Sequence, residues 1–194
     1  MGVGIGFADP VLDSQRVFRA VLDALAHPGR VLTLSTPETP PAPLGIASAG
    51  VCLTLLDFET PLWLDRAAAT APVQDYLRFH CGVPLVEAPA DARFALIADA
   101  TTMPPLSAFD AGTDERPDRS ATLIVQVSGL ASGSGCRLSG PGIDGQARLQ
   151  VNGVPPGFWD AVRTNAAGFP RGVDLFLCAG DRIAALPRTT RVED

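Results

Sequence analysis

The residues suited to acid–base or nucleophilic chemistry are few in this chain, and they begin with its two histidines. His27 lies where a predicted helix ends, so it either caps that helix or serves as a catalytic group. His80 is followed directly by Cys81, which suggests a base beside a nucleophile. However, neighbouring residues on a helix point about 100° apart, so these two side chains are not aimed at each other. The chain also lacks a Gly-x-Ser-x-Gly motif, and no catalytic residue is assigned from the sequence.

The best candidates for binding an anion lie near the C-terminus, in the segment Arg188, Thr189, Thr190 and Arg191. Guanidinium groups and hydroxyls suit phosphate oxygens, because they supply several directed hydrogen-bond donors. The alternative is a segment that leaves the rim of the sheet after Pro187, with its arginines in water or paired with a carboxylate of this fold or of a partner chain. We expect the carboxylate, since such a contact requires no ligand.

Two absences limit the cofactors that the chain can hold. All 15 basic residues are arginine, so no lysine can form a Schiff base with pyridoxal phosphate or serve a Walker A motif. The four cysteines are widely spaced and lie in apolar surroundings, which favours buried reduced thiols over disulfides. Their spacing matches neither a zinc site nor an iron–sulfur cluster. We therefore expect no bound cofactor and no metal.

Charge and composition bear on the partners. The net charge of −6 argues against nucleic acid, since the sequence has no basic stripe to meet phosphate backbones. Only 19% of the residues are charged while 46% are hydrophobic. This balance reflects a compositional bias toward small residues, a surface covered by a partner, or both.

Length and hydropathy predict one cytoplasmic domain over residues 1–194. The N-terminus lacks the basic region of a signal peptide. The longest apolar run, residues 44–56, is too short to cross a bilayer, so we expect no contact with a membrane.

The chain is organised around residues 121–145 in its middle, and this stretch predicts a mixed sheet. Residues 121–127 form an apolar, β-branched run, typical of a strand buried on both faces. A Ser/Gly-rich loop is expected over 128–135, leading to a neighbouring strand of the same sheet. That strand ends in the corner Gly140-Pro141-Gly142, whose glycines we expect to be required for backbone geometry. The alternating residues 147–151 then predict a half-buried antiparallel strand.

In the rest of the sequence, the periodicity of the apolar residues predicts further helices and strands, so we expect an α/β fold. Helices are expected at residues 10–26, 44–56, 71–80, 103–109 and 155–163. Asp9-Pro10 is the start signal of the first helix, and Ser14 is a second candidate for its N-cap. In the helix at 71–80, Val73, Tyr76 and Leu77 are expected to face inward, with Phe79 as a further candidate. Further strands are expected at residues 30–34, 61–65, 94–98, 173–178 and 182–186.

Six short motifs, in order from about residue 7 to residue 191, resemble the PhnH family of the bacterial carbon–phosphorus lyase system. Each motif is weak alone, but six in register are hard to obtain by chance. They are Ser14-Gln15-x-x-Phe18-Arg19 with His27-Pro28-Gly29, Leu56-Asp57-x-Glu59-Thr60-Pro61, Gly112-Thr113-x-Glu115-x-Pro117, Leu138-Ser139-Gly140-Pro141-Gly142-Ile143, Phe169-Pro170-x-Gly172-x-Asp174 and Pro187-Arg188-Thr189-Thr190.

The resemblance implies a three-layer α/β/α sandwich similar to the large domain of pyridoxal-phosphate-dependent transferases, without that cofactor. It also implies a homodimer that joins the PhnG, PhnI and PhnJ subunits in a core complex. With ATP, that complex converts alkylphosphonates such as methylphosphonate to ribose 1-phosphonate 5-triphosphate. The family has no agreed catalytic residues to transfer to this chain.

Two functions follow as hypotheses. The first is a subunit that acts in assembly of the phosphonate-activating complex and is catalytically silent alone. The second is a chain that binds phosphonate or nucleotide directly, with arginines on the phosphate groups.

Overall fold

The computed structural model describes residues 4–34 and 39–193, and within these ranges the chain forms four helices and ten strands. The helices are α1 (Pro10–Ala26), α2 (Ile46–Leu55), α3 (Ala71–Cys81) and α4 (Phe158–Ala167). The strands are β1 (Leu32–Thr33), β2 (Leu62–Leu64), β3 (Leu85–Val86), β4 (Phe94–Ile97), β5 (Thr122–Gln126), β6 (Gly129–Ser139), β7 (Ala147–Asn152), β8 (Asp174–Ala179), β9 (Arg182–Leu186) and β10 (Arg191–Glu193). The predicted α/β class is confirmed.

Helix α1 shows how local sequence sets an element's bounds. The Asp9 carboxylate accepts hydrogen bonds from the backbone N–H groups of Val11 (3.1 Å) and Leu12 (3.0 Å), and Pro10 occupies the first turn. The helix ends before His27, because the following Pro28 disfavours a helical conformation at the residue before it. Both ends lie where the sequence predicts them.

The large sheet has seven strands in the order β1-β9-β8-β5-β4-β2-β3. The five strands from β8 to β3 are parallel, and β9 and β1 add an antiparallel edge. Along β5, Leu123 and Val125 pack into one apolar cluster, whereas Ile124 between them packs into another. The sheet is therefore buried on both faces, as the apolar run predicts.

The layers on the two faces differ in kind. Helices α1, α2 and α3 cover one face, through residues such as Val21, Val51 and Leu77. Helix α4 and a separate three-stranded antiparallel sheet, in the order β10-β6-β7, cover the other. The second outer layer is thus part helix and part sheet, which differs from the purely helical layer that the resemblance implies.

Three local predictions are wrong. The Ser/Gly run is part of β6 rather than a loop, and the register shifts between Ser132 and Cys136 because both residues align with Leu149. Strand β6 also pairs with β7 and β10 instead of with β5, so the glycine corner belongs to the small sheet. The helix predicted at residues 103–109 is only a short 3₁₀ turn at Leu106–Ala108.

No helix within the described residues is long and apolar enough to span a bilayer.

Candidate functional site

Arg188, the first of the predicted anion-binding residues, lies at a junction of three segments that are distant in sequence. Its Nε donates to Asp174 Oδ1 (3.2 Å) and its Nη2 donates to Asp174 Oδ2 (2.5 Å), so the guanidinium binds the carboxylate in a bidentate manner. Its Nη1 donates to the carbonyl of Pro117 (2.6 Å), and its backbone N–H donates to Asp174 Oδ1 (2.8 Å). The pair is largely buried, with 15% of the Arg188 side chain and 22% of the Asp174 side chain exposed. The principal donors of Arg188 are therefore engaged by this chain's own oxygens.

The other three residues of that segment do not converge on Arg188. Thr190 is buried, and its hydroxyl has no hydrogen-bond partner within the described part of the chain. Thr189 is half-buried, while Arg191 is exposed at the start of β10. The segment therefore runs into a strand of the small sheet instead of leaving the sheet rim, which corrects its expected course. Anion binding by these four residues stays a prediction.

The glycine corner packs against two of the other motif segments. Gly140 has φ +129°, and a Cβ built on it would lie 2.8 Å from the carbonyl oxygen of Thr189. Gly142 has φ +82°, and a Cβ there would lie 2.0 Å from the carbonyl oxygen of Ala26. Only glycine tolerates both the left-handed backbone and these contacts. The corner thus joins the C-terminal end of α1 to the segment that follows Arg188, around Pro141.

The histidines serve local structure. His27 Nδ1 lies 2.8 Å from the Asp23 carboxylate and 3.1 Å from the Asp23 carbonyl oxygen, at the end of α1. His80 Nε2 lies 2.9 Å from the carbonyl oxygen of Gly4, and its ring packs edge-on against Tyr76. Cys81 points elsewhere, toward the carbonyl oxygen of Cys52. His80 and Cys81 therefore form no nucleophile–base pair with each other.

The thiols have the properties of structural cysteines. Burial raises the pKa of Cys81 and of Cys178 to about 12, and it raises the pKa of Cys52 well above the usual value. Such thiols stay protonated at neutral pH and are poor nucleophiles. In residues 4–34 and 39–193, no three His, Cys, Asp or Glu side chains are grouped so that they could hold a metal ion.

A cavity of about 370 Å³ opens at the carboxyl edge of the parallel strands, where α/β sheets commonly bind ligands. Its wall includes Asp99 after β4, Gln126 at the end of β5, and Ser48 in α2. Gln126 Oε1 accepts hydrogen bonds from the Gly45 N–H (2.6 Å) and from the Ser48 hydroxyl, so it ties β5 to the start of α2. The Thr101 hydroxyl hydrogen-bonds the Asp99 carboxylate and lowers its pKa.

The polar groups of this cavity include a carboxylate, an amide and hydroxyls. Its described lining contains no arginine and no histidine, and its thiol, Cys178, is protonated at neutral pH. Sequence reasoning did not single out Asp99 or Gln126. The signal that could have found them is their position, since each lies at or just after the end of a buried parallel strand.

Comparisons with known proteins agree with the motif pattern. Residues 5–193 match the family model described as bacterial phosphonate metabolism protein (PhnH). A relative from Rhizobium meliloti (strain 1021), named alpha-D-ribose 1-methylphosphonate 5-triphosphate synthase subunit PhnH, is 42% identical over 187 residues, covering 96% of this chain and 94% of the relative. A Stutzerimonas stutzeri protein named putative C-P lyase subunit protein HtxG is 36% identical over 181 residues, covering 92% of this chain and 85% of that protein.

The match runs through all six motifs, and three of these motifs meet at Arg188, where Asp174 and Pro117 bind its guanidinium. The chain belongs to the PhnH family of bacterial phosphonate metabolism proteins.

Proposed function

We propose that this chain is a subunit of a carbon–phosphorus lyase core complex, where it acts in assembly and has no activity alone. With ATP, the complex converts alkylphosphonates such as methylphosphonate to ribose 1-phosphonate 5-triphosphate. The chain works as a homodimer with PhnG, PhnI and PhnJ subunits, and it holds no cofactor. The observation that carries the proposal is the 42% identity, over 96% of the chain, to a relative named as a subunit of such a synthase.

The chemistry of the described side chains supports an assembly role. The histidines are held by backbone carbonyls, the buried thiols are protonated, and Arg188 is paired with a carboxylate of its own chain. A direct catalytic role for one of these groups would need it to be activated and accessible.

The surface of α1 supports contact with another protein. Val11, Phe18 and Leu22 share one side of the helix and are 77%, 45% and 48% exposed. An apolar stripe of this kind is typical of an interaction surface.

Replacing Arg188 with alanine separates an assembly role from direct substrate binding. In Arg188→Ala, the largely buried Asp174 carboxylate loses its charged partner, so we expect the free energy of unfolding to fall by about 2–3 kcal/mol and assembly to weaken. The measurements are a thermal melt of the variant, a pull-down with PhnG, PhnI and PhnJ, and turnover of methylphosphonate by the assembled complex.

The matched control is Arg191→Ala, since the Arg191 side chain is exposed and makes no hydrogen bond or ion pair with any residue in the described ranges. We expect its melt and its assembly to match those of the wild type. If Arg188→Ala melts and assembles normally but the complex loses turnover, the chain contacts substrate and the assembly role is wrong.

A further inference from the structure

Residues of the small sheet, together with one side of α4, line a depression of about 620 Å³. Three arginines line it: Arg137 from β6, Arg148 from β7 and Arg163 from α4. Trp159, one turn before Arg163, forms part of the wall. The volume is in the range of ordinary small-molecule sites.

Strand register places two of these arginines directly opposite each other. Arg137 aligns with Arg148 on β7 and with Glu193 on β10, so the three residues form one row across the sheet. Like charges in directly opposed positions destabilise a sheet. Arg137 is only half-exposed, and its side chain makes no hydrogen bond or ion pair with any described residue. This row has an excess of positive charge that an anion would relieve.

The neighbouring polar groups are already engaged with one another. The Glu193 carboxylate accepts a hydrogen bond from Gln146 Nε2 (2.8 Å), and Arg163 pairs with Asp160 (2.5 Å). Arg148 donates to the carbonyl of Gly135 (3.3 Å), a contact that leaves its other guanidinium nitrogens available. Among the described lining residues, three arginines stand against one glutamate, and Asp160 offsets the charge of Arg163. The positive charge of the depression therefore comes from Arg137 and Arg148, although the chain as a whole carries −6.

Trp159 adds an aromatic surface to the basic wall. Its ring packs edge-on against the buried Phe158, with 5.3 Å between ring centroids, and this contact holds the half-buried indole in place. A fixed tryptophan beside arginine forks suits a ligand that has both a planar ring and phosphate groups.

We propose that this depression binds a small molecule with an oligophosphate chain and an aromatic base, of the nucleoside triphosphate class. The phosphates lie along Arg137 and Arg148, and the base stacks on Trp159. The site differs from the Arg188 junction and does not depend on the assembly role. The concave shape and the tryptophan wall favour a small ligand over an acidic segment of a partner protein.

The test is titration of the full-length chain with ATP and, separately, with inorganic tripolyphosphate, followed by calorimetry and by tryptophan fluorescence. Both probes should bind, and binding should weaken as sodium chloride is raised, because the contacts are ionic. Only ATP should quench the fluorescence strongly. Trp159→Phe should abolish that quenching, whereas Trp63→Phe should retain it, because Trp63 lies in β2 of the large sheet.

Arg137→Ala and Arg148→Ala should each weaken the binding of both probes by about tenfold or more, which corresponds to about 1.4 kcal/mol. The matched control is Arg66→Ala, because Arg66 is exposed and lies outside the depression. Circular dichroism checks that each variant is folded.

Absence of ATP binding by the wild type at millimolar concentration would overturn the proposal. So would unchanged affinity in both folded arginine variants. If neither probe binds but Arg137→Ala loses capture of a purified partner subunit, the depression is a protein interface and the small-molecule assignment is wrong.

Discussion

The two sheets of this protein use their faces in opposite ways. In the large sheet, consecutive residues of β5 such as Leu123 and Ile124 are both fully buried, because helices cover one face and the second layer covers the other. In the small sheet, Leu149 of β7 is fully buried while its neighbours Arg148 and Gln150 are exposed. One sheet has no free face, and the other presents a polar face to solvent.

This difference suits the large sheet to stability and the small sheet to recognition. The large sheet can change little without opening a cavity, because apolar side chains surround its central strands on both faces. The small sheet carries its polar residues where they are accessible, and it also contains the glycine corner that contacts α1 and the segment after Arg188. The small sheet is therefore the one of the two whose face can contact another molecule.

The largest expected effect is in the large sheet. Phe176 of β8 is only 2% exposed, and Phe176→Ala should lower the free energy of unfolding by about 3–5 kcal/mol through lost burial and a residual cavity. The matched control is Phe79→Ala, whose ring is 71% exposed and should change stability by less than about 0.5 kcal/mol. Urea unfolding followed by circular dichroism measures both. Similar losses in the two variants would contradict the burial difference on which the comparison depends.

The glycine corner gives a smaller effect that is specific to the small sheet. Gly142→Ala should destabilise by about 2 kcal/mol or more, because its Cβ meets the Ala26 carbonyl in addition to the strain of φ +82°. Gly145 is the control: its φ is +69°, but a Cβ there meets nothing within 4 Å, so Gly145→Ala should cost only about 1 kcal/mol. Thermal melts of both variants decide this. Equal losses would show that backbone strain alone acts at Gly142.

The sequence predicted the large sheet well because its signals are local. Apolar runs identify β4, β5 and β8, and Asp9-Pro10 with His27-Pro28 set the bounds of α1. Inward positions on α3 were predicted correctly for Val73, Tyr76 and Leu77, which are fully buried. Phe79, considered as a further inward residue, is instead exposed.

The small sheet and the contacts of the candidate site could not be predicted in the same way, because they depend on long-range pairing. A Gly/Ser run has no periodic apolar signal, so Gly129–Ser139 was predicted as a loop followed by a strand. The pairing of β10 with β6 joins residues about fifty positions apart, and the bond between Arg188 and Asp174 requires the fold itself. An arginine motif alone does not reveal whether its partner is a ligand or a carboxylate.

The two sheets should also differ in how their cysteines make stability depend on pH. Burial raises the pKa of Cys178 in β8 to about 12, so folding stabilises its protonated form. This contribution to stability is complete below the unfolded pKa of about 8.5 and is lost as pH rises from there toward 12. Between about pH 8 and pH 9.5, Cys178 should account for roughly 1 kcal/mol of lost stability. Between these pH values, the free energy of unfolding measured in urea should fall by roughly 1 kcal/mol less in Cys178→Ala than in the wild type. Cys136 lies at a half-buried position of β6, so the fall in Cys136→Ala should be closer to that of the wild type. A larger change for Cys136→Ala would reverse the assignment.

The smallest expected effect concerns a contact between the small sheet and the segment that leads into β1 of the large sheet. Ser132, at the register shift of β6, accepts a hydrogen bond from the Val31 N–H (3.0 Å) and donates one to the Gly29 carbonyl (3.1 Å), so it bridges to the connection between α1 and β1. Ser132→Ala removes both bonds and should lower the free energy of unfolding by about 1 kcal/mol, because water can replace part of what is lost at an exposed position. Ser134→Ala is the matched control and should have almost no effect, since the only hydrogen bond of the Ser134 hydroxyl to a described residue is with Gln150 of the small sheet (2.9 Å). Amide hydrogen exchange gives the sharper readout: in Ser132→Ala, protection of the Val31 amide should fall while that of β5 stays unchanged. Loss of protection throughout β5 would mean that the two sheets unfold as one unit, and the division between them would then describe composition and not stability.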